Sequence, residues 1–81
     1  MKTYVFRVEL EQDEDGRWGA EVPSLPGCAT WGHTKDQALE ALSEATQAYL
    51  DVLSEKGWPL PEEAEEEIRI ISSSDVVTAT L

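Results

Sequence analysis

The stretch Val22-Pro23-Ser24-Leu25-Pro26-Gly27-Cys28-Ala29-Thr30-Trp31-Gly32-His33-Thr34 constrains the fold more than any other part of this chain. Pro23 cannot donate to a central ladder, so it ends any strand that precedes it. Leu25-Pro26-Gly27 then turns the chain, and Thr34 opens a strongly patterned helical segment. What lies before Pro23 must therefore be joined to a helix through one short strand, Cys28 to Trp31.

The preceding residues supply a hairpin. From Thr3 to Glu11 the chain alternates, with Tyr4, Phe6, Val8 and Leu10 on one face and Val5, Arg7, Glu9 and Glu11 on the other. This is the pattern of a strand with one wet face. Asp15-Gly16 marks the hairpin turn. The return strand groups Trp18, Ala20 and Val22 and leaves Gly19 and Glu21 opposite. Three antiparallel strands thus precede the helix.

Thr34-Lys35-Asp36-Gln37 is a capping box, in which Thr34 accepts from the Gln37 N–H and Gln37 reaches back. Asp36 suits the positive end of the helix dipole. Ala38, Leu42, Ala45, Tyr49, Val52 and Leu53 form an apolar stripe flanked by Leu39 and Ala41, opposite Glu40, Glu44, Gln47, Asp51 and Ser54. Such a pattern predicts an amphipathic helix of roughly 20 residues laid on a sheet. Gly57 is placed for a left-handed cap, Trp58 for folding back on Leu53, and Pro59 stops the helix.

Pro59-Leu60-Pro61 is a stiff connector, and Glu62 to Glu67 reads as a solvated helical turn or loop. Ile68-Arg69-Ile70-Ile71 has strand character, as does Asp75 to Leu81 after three serines. A lone terminal strand exposes its edges, so it is expected either to close the sheet internally or to add to a neighbouring subunit. The fold class is therefore α+β in the order β-β-β-α-β. A three-stranded antiparallel sheet carries one long amphipathic helix and a fourth C-terminal strand. Residues 1–81 read as a single domain, with 62–81 an acidic connector plus that strand.

Charge narrows the partners. With 17 Asp and Glu against 6 Lys and Arg, the net charge is -11. Such a chain repels phosphate, which argues against direct binding of nucleic acid, and favours encounter with a basic partner. A single cysteine, Cys28, makes no internal disulfide and suits a reducing cytoplasm. The N-terminus lacks the apolar core of a signal peptide, and no run approaches the roughly 20 residues of a membrane span.

Catalytic constellations find no support. Cys28 and His33 lie five positions apart but lack an orienting third group, and a closed zinc site needs four ligands. The many carboxylates lie on a strand face, a turn and a connector rather than converging on one pocket. No cofactor and no metal are expected. Trp18, Trp31 and Trp58 suit a buried core, with Trp31, near an edge, the best placed to anchor a partner instead.

Val22-Pro23-Ser24-Leu25-Pro26-Gly27-Cys28, Gly32-His33-Thr34 and the helix together resemble the N-terminal domain of the HicB family of antitoxins. Asp13-Glu14-Asp15-Gly16-Arg17-Trp18 and Gly57-Trp58-Pro59 fit the same pattern, so the resemblance spans roughly residues 3–61. It implies a partial ribonuclease H-like fold without nuclease chemistry, and a small basic mRNA-cleaving toxin, HicA, as the partner that is blocked. If the third strand runs parallel to the first, a right-handed crossover through the helix would bring Ile68–Ile71 beside the first strand. Complete members carry a C-terminal DNA-binding domain, for which the residues after Pro61 are too few, so autoregulation through DNA is not expected.

The expected toxin contact is the acidic hairpin, Glu11, Asp13, Glu14 and Asp15, with Trp31 nearby. The expected oligomer strand is Val76, Val77, Thr78 and Ala79, giving a dimer or tetramer. The alternative is a stand-alone regulatory or scaffold module that assembles through that strand without a toxin.

Overall fold

A computed structural model describes residues 3–59, 65–66 and 76–81. The chain runs β1 (Thr3–Arg7), β2 (Glu9–Gln12), β3 (Trp18–Glu21), β4 (Ala29–Gly32), α1 (Lys35–Lys56), β5 (Glu65–Glu66) and β6 (Val76–Thr80). β2, β3 and β4 form a three-stranded antiparallel sheet, and β1 lies between β5 and β6, antiparallel to both. The helix covers one face of this arrangement, and the terminal strand β6 closes onto the N-terminal strand within the same chain.

The expected continuous first strand is broken at Val8. Its two halves have different partners: Phe6 and Arg7 face Val77 and Val76, while Glu9 and Leu10 face Glu21 and Ala20. Alternation survives the break, with Phe6 and Val8 buried and Tyr4 and Leu10 packed against the core. Val5, read as part of the wet face, is buried as well. Glu65 and Glu66, read as a helical turn or loop, instead pair with Val5 and Tyr4. The crossover expected of Ile68–Ile71 falls outside the described residues; β1 is flanked by antiparallel neighbours.

The third strand begins one residue later than predicted, because Cys28 still belongs to the loop. Three backbone hydrogen bonds close that loop: Leu25 N–H to Val22 O, Cys28 N–H to Leu25 O and Val22 N–H to Cys28 O. They turn the Leu25 side chain inward, where it is fully buried. Gly27 sits at φ +82, a conformation that side chains rarely tolerate.

Both helix ends follow the local code. The Gln37 N–H donates to Thr34 Oγ1 at 3.1 Å, and Gln37 Oε1 accepts from the His33 N–H at 3.0 Å. The reciprocal bond thus lands one residue before the cap. At the other end Gly57 lies at φ +69, its N–H donates to Ser54 O, and the Trp58 N–H donates to Leu53 O. Two otherwise orphaned carbonyls are satisfied in this way.

The buried row of α1 is Ala38, Leu42, Thr46 and Leu50. Thr46 and Leu50 were outside the predicted stripe, and Val52, inside it, is exposed. Thr46 is tolerated because its hydroxyl donates to Leu42 O at 2.7 Å and lies 3.7 Å from the Cys28 thiol. Gln47 departs most from expectation. Placed by sequence on the wet face, it donates from Nε2 to Thr80 O at 2.7 Å and accepts from the Thr80 N–H at 2.8 Å.

The side-chain amide therefore pairs with β6 as a further strand would, and covers one position of its outer edge. Replacing Gln47 with alanine removes both hydrogen bonds to β6, along with an exposed one from Nε2 to Asp51 Oδ1, and is expected to cost about 2 kcal/mol. Hydrogen exchange should show the β6 amides losing protection before those of β2–β4. Unchanged β6 protection in Gln47→Ala would contradict this role.

Candidate functional site

Register builds the outer face of β2–β3–β4. Glu9 lies directly across from Glu21, Glu11 across from Gly19, and Gly19 in turn across from Trp31. Directly opposed residues share a face, and so do positions two apart along a strand. Glu9, Glu11, Gly19, Glu21, Ala29 and Trp31 therefore stand together on the side away from α1. A shallow depression of about 470 Å³ lies along this face.

Three glutamates share this face. Among the described residues none of Glu9, Glu11 and Glu21 forms an ion pair or side-chain hydrogen bond. Two glutamates directly opposed across a ladder repel one another, so the arrangement lowers the stability of the free chain. Gly19 leaves a bare strip of backbone between Glu11 and Trp31. A Cβ built there would approach nothing closer than Glu11 O at 3.8 Å, so packing does not demand the glycine.

The hairpin turn borders this face. The Gly16 N–H donates to Asp13 O, and the Asp13 N–H donates to Arg17 O at 2.7 Å. Arg17 Nε donates to Asp15 Oδ2 at 2.9 Å, and the guanidinium carbon lies 5.3 Å from the centroid of the Trp31 ring. The Arg17 N–H, the largest influence, together with the guanidinium charge holds the Asp15 carboxyl below its ordinary value of 3.8. His33 meets Trp31 edge-on at 5.4 Å.

Of the residues picked out by sequence, Glu11 and Trp31 are brought onto one face. Asp13, Glu14 and Asp15 sit beside it in the exposed turn, with Asp15 committed to Arg17. Glu9, Gly19 and Glu21 complete the face and were missed as site residues. Strand alternation already carried that signal, but their juxtaposition needed the register. Trp31 is 58% and Trp58 56% exposed, while Trp18 is half-buried, so the three tryptophans do not all enter the core.

Cys28 and His33 are separated in role as well as position. The thiol is buried beside Thr46, and the imidazole is exposed beside Trp31. No group of three His, Cys, Asp or Glu among the described residues is placed to hold a metal ion. No described helix is long and apolar enough to cross a membrane. Val76–Ala79 lies in β6 and is paired with β1; the Gln47 amide occupies its other edge at Thr80.

A family model described as "HicB_like antitoxin of bacterial toxin-antitoxin system" matches residues 6–77. A UPF0150 protein of Thermoplasma acidophilum is 40% identical over 65 residues, which span 80% of this chain and 94% of the relative. Among solved structures, the N-terminal domain of the Burkholderia pseudomallei antitoxin HicB superposes with a TM-score of 0.64 at 19% identity. That alignment covers 98% of this chain and 96% of the other. A chain of a HicA3 and HicB3 toxin-antitoxin complex superposes with a TM-score of 0.60 at 18% identity, covering 94% and 95%. At these identities the two structures speak for the fold.

Proposed function

Because this chain belongs to the HicB-like antitoxin family, we propose that it is a binding protein that neutralises a small basic mRNA-cleaving toxin by direct contact, with no catalytic step of its own. The observation that carries this reading is the outer face of β2–β3–β4, where three glutamates that form no ion pair among the described residues share one side of the sheet with an exposed tryptophan. An acidic face is the complement of a protein built to hold RNA, and apposed charge raises the rate of encounter. A toxin whose cationic surface is covered cannot engage phosphate. The net charge of -11 extends the same attraction beyond the contact itself.

In this reading residues 1–81 act as one domain, in the cytoplasm, on a protein rather than on nucleic acid. Asp13, Glu14 and Asp15 extend the acidic border of the contact. The test is a search beside the gene for a small basic reading frame whose product is toxic, followed by its co-expression with this chain. A gene without such a neighbour counts against the reading. The expected result is restored growth and a complex that co-purifies at low salt and weakens as salt rises. A neighbour that is toxic, yet neither bound nor neutralised, overturns the reading.

A second reading, self-assembly through β6 as a scaffold or regulatory module, is favoured by one observation. β6 lies at a sheet edge and carries no charged side chain along Val76–Thr80. Such edges readily pair with another chain. Light scattering should then give a dimer or tetramer mass for the chain alone, and a monomer mass excludes it.

A further inference from the structure

The outer face of β2–β3–β4 gathers like charges in register. Glu9 and Glu21 oppose each other in register, Glu11 stands two positions from Glu9, and none of the three forms an ion pair among the described residues. A sheet can present a positive or neutral residue at such a pair at no structural cost, so the repulsion is a local conflict of the kind that marks sites of binding. The residue between these charges and Trp31 is a glycine in the middle strand of the sheet. Glycine weakens a strand and marks close approach by another group. Gly19 needs neither a positive φ nor the space for its neighbours, since the nearest atom to a Cβ is at 3.8 Å.

The chain itself shows which group suits the ring. Arg17 lies on the same face, two positions before Gly19, with its guanidinium 5.3 Å from the Trp31 centroid and its Nε 2.9 Å from the Asp15 carboxylate. A planar cation held between an indole and a carboxylate is the pairing that Glu11, Gly19 and Trp31 would repeat one step further along the strand. We propose that this face is a seat for an arginine side chain of a basic protein partner. The guanidinium lies over Gly19, between the carboxylates of Glu9, Glu11 and Glu21 and the ring of Trp31.

Arginine fits better than lysine because its flat fork pairs with carboxylates and stacks on an aromatic ring at the same time. Phosphate is excluded by the three carboxylates. A second copy of this chain fits poorly, because a symmetric approach would bring a second set of the same carboxylates onto the first. The inference rests on the antitoxin reading for the identity of the partner, but the seat can be examined without the toxin.

The experiment uses the full chain labelled with nitrogen-15 and titrated at low salt with the peptide acetyl-Arg-Gly-Arg-Gly-Arg-amide, then with its lysine counterpart. The seat predicts shifts concentrated at the amides of Glu9, Glu11, Gly19 and Glu21 and at the Trp31 indole N–H, with the arginine peptide the tighter of the two. Gly19→Val fills the bare strip with a good strand former. It is expected to melt no lower than the parent and to weaken the arginine peptide roughly tenfold. The double substitution Glu9→Gln with Glu21→Gln should also weaken it roughly tenfold while raising the melting temperature, because the repulsion is gone.

Shifts centred on Asp13–Asp15 or on the glutamates of α1, an absence of shifts, or a Gly19→Val chain that binds as the parent does would each overturn the seat. Arginine-peptide shifts at the seat, in a chain that fails to neutralise its neighbour's toxin, would support the seat and remove the antitoxin reading instead.

Discussion

Gly32→Ala is expected to destabilise the domain by about 3 kcal/mol and to lower its melting temperature by roughly 10–20 °C. Gly32 ends β4 at the point where the chain turns into α1, and it is buried. A Cβ there would lie 2.6 Å from the Ala38 backbone nitrogen and 2.8 Å from Gln37 Cβ. Those neighbours belong to the first turn of the helix, whose position the Thr34–Gln37 cap and the Thr30 hydroxyl fix. Thr30 Oγ1 donates to Ala38 O at 3.0 Å, so sheet and helix cannot separate without losing that bond. The same change at Gly19, where nothing stands closer than 3.8 Å, should be nearly neutral. Thermal melts of the two variants side by side check this. Equal melting temperatures would show that the close approach at Gly32 is not a constraint.

The second large effect is expected at Leu50. Its side chain is fully buried, in line with Leu42 and Thr46 beneath the helix. Leu50→Ala should cost about 2–5 kcal/mol, from lost transfer free energy and the cavity left behind. For a domain of this size that is a large share of the total stability. Val52→Ala, two positions on, should cost little, since Val52 is 43% exposed. Denaturant midpoints measure both. The comparison also decides between two apolar stripes, because the pattern of the sequence favours Val52 and the fold buries Leu50.

That contrast shows what could and could not be read from the chain. Helix ends were legible because their signals are local: Thr34, Gln37, Gly57 and Pro59 act within one turn of each boundary. The phase of the helix was less so. Ala38, Leu42, Ala45, Leu50 and Leu53 offer overlapping stripes, and the choice depends on where β3, β4 and β6 meet them. Thr46 is hidden from any hydropathy pattern, since a polar residue is acceptable there only when its hydroxyl finds the Leu42 carbonyl.

Long-range pairing accounts for the remaining differences. Val8 carries no breaker signal, and the strand divides there because β6, about 70 residues away in sequence, claims the first half. Gln47 looked like a solvated residue because its partner, Thr80, comes from the same distant strand. Leu25 looked like part of a turn, but the hydrogen bonds of the Val22–Cys28 loop aim it inward. The acidic face was half legible: alternation placed Glu9 with Glu11 and Gly19 with Glu21, but not one pair against the other. The local run Asp13–Asp15 was the more conspicuous feature in the sequence, yet Asp15 is already occupied by Arg17.

The central claim is that this chain works by presenting the outer face of β2–β3–β4 to a basic toxin. Its most direct test is growth rescue by Gly19→Val, co-expressed with a small basic toxin that the parent chain neutralises and matched to the parent in soluble level and melting temperature. The account predicts that the variant folds, accumulates and fails to rescue. Rescue equal to that of the parent would contradict it.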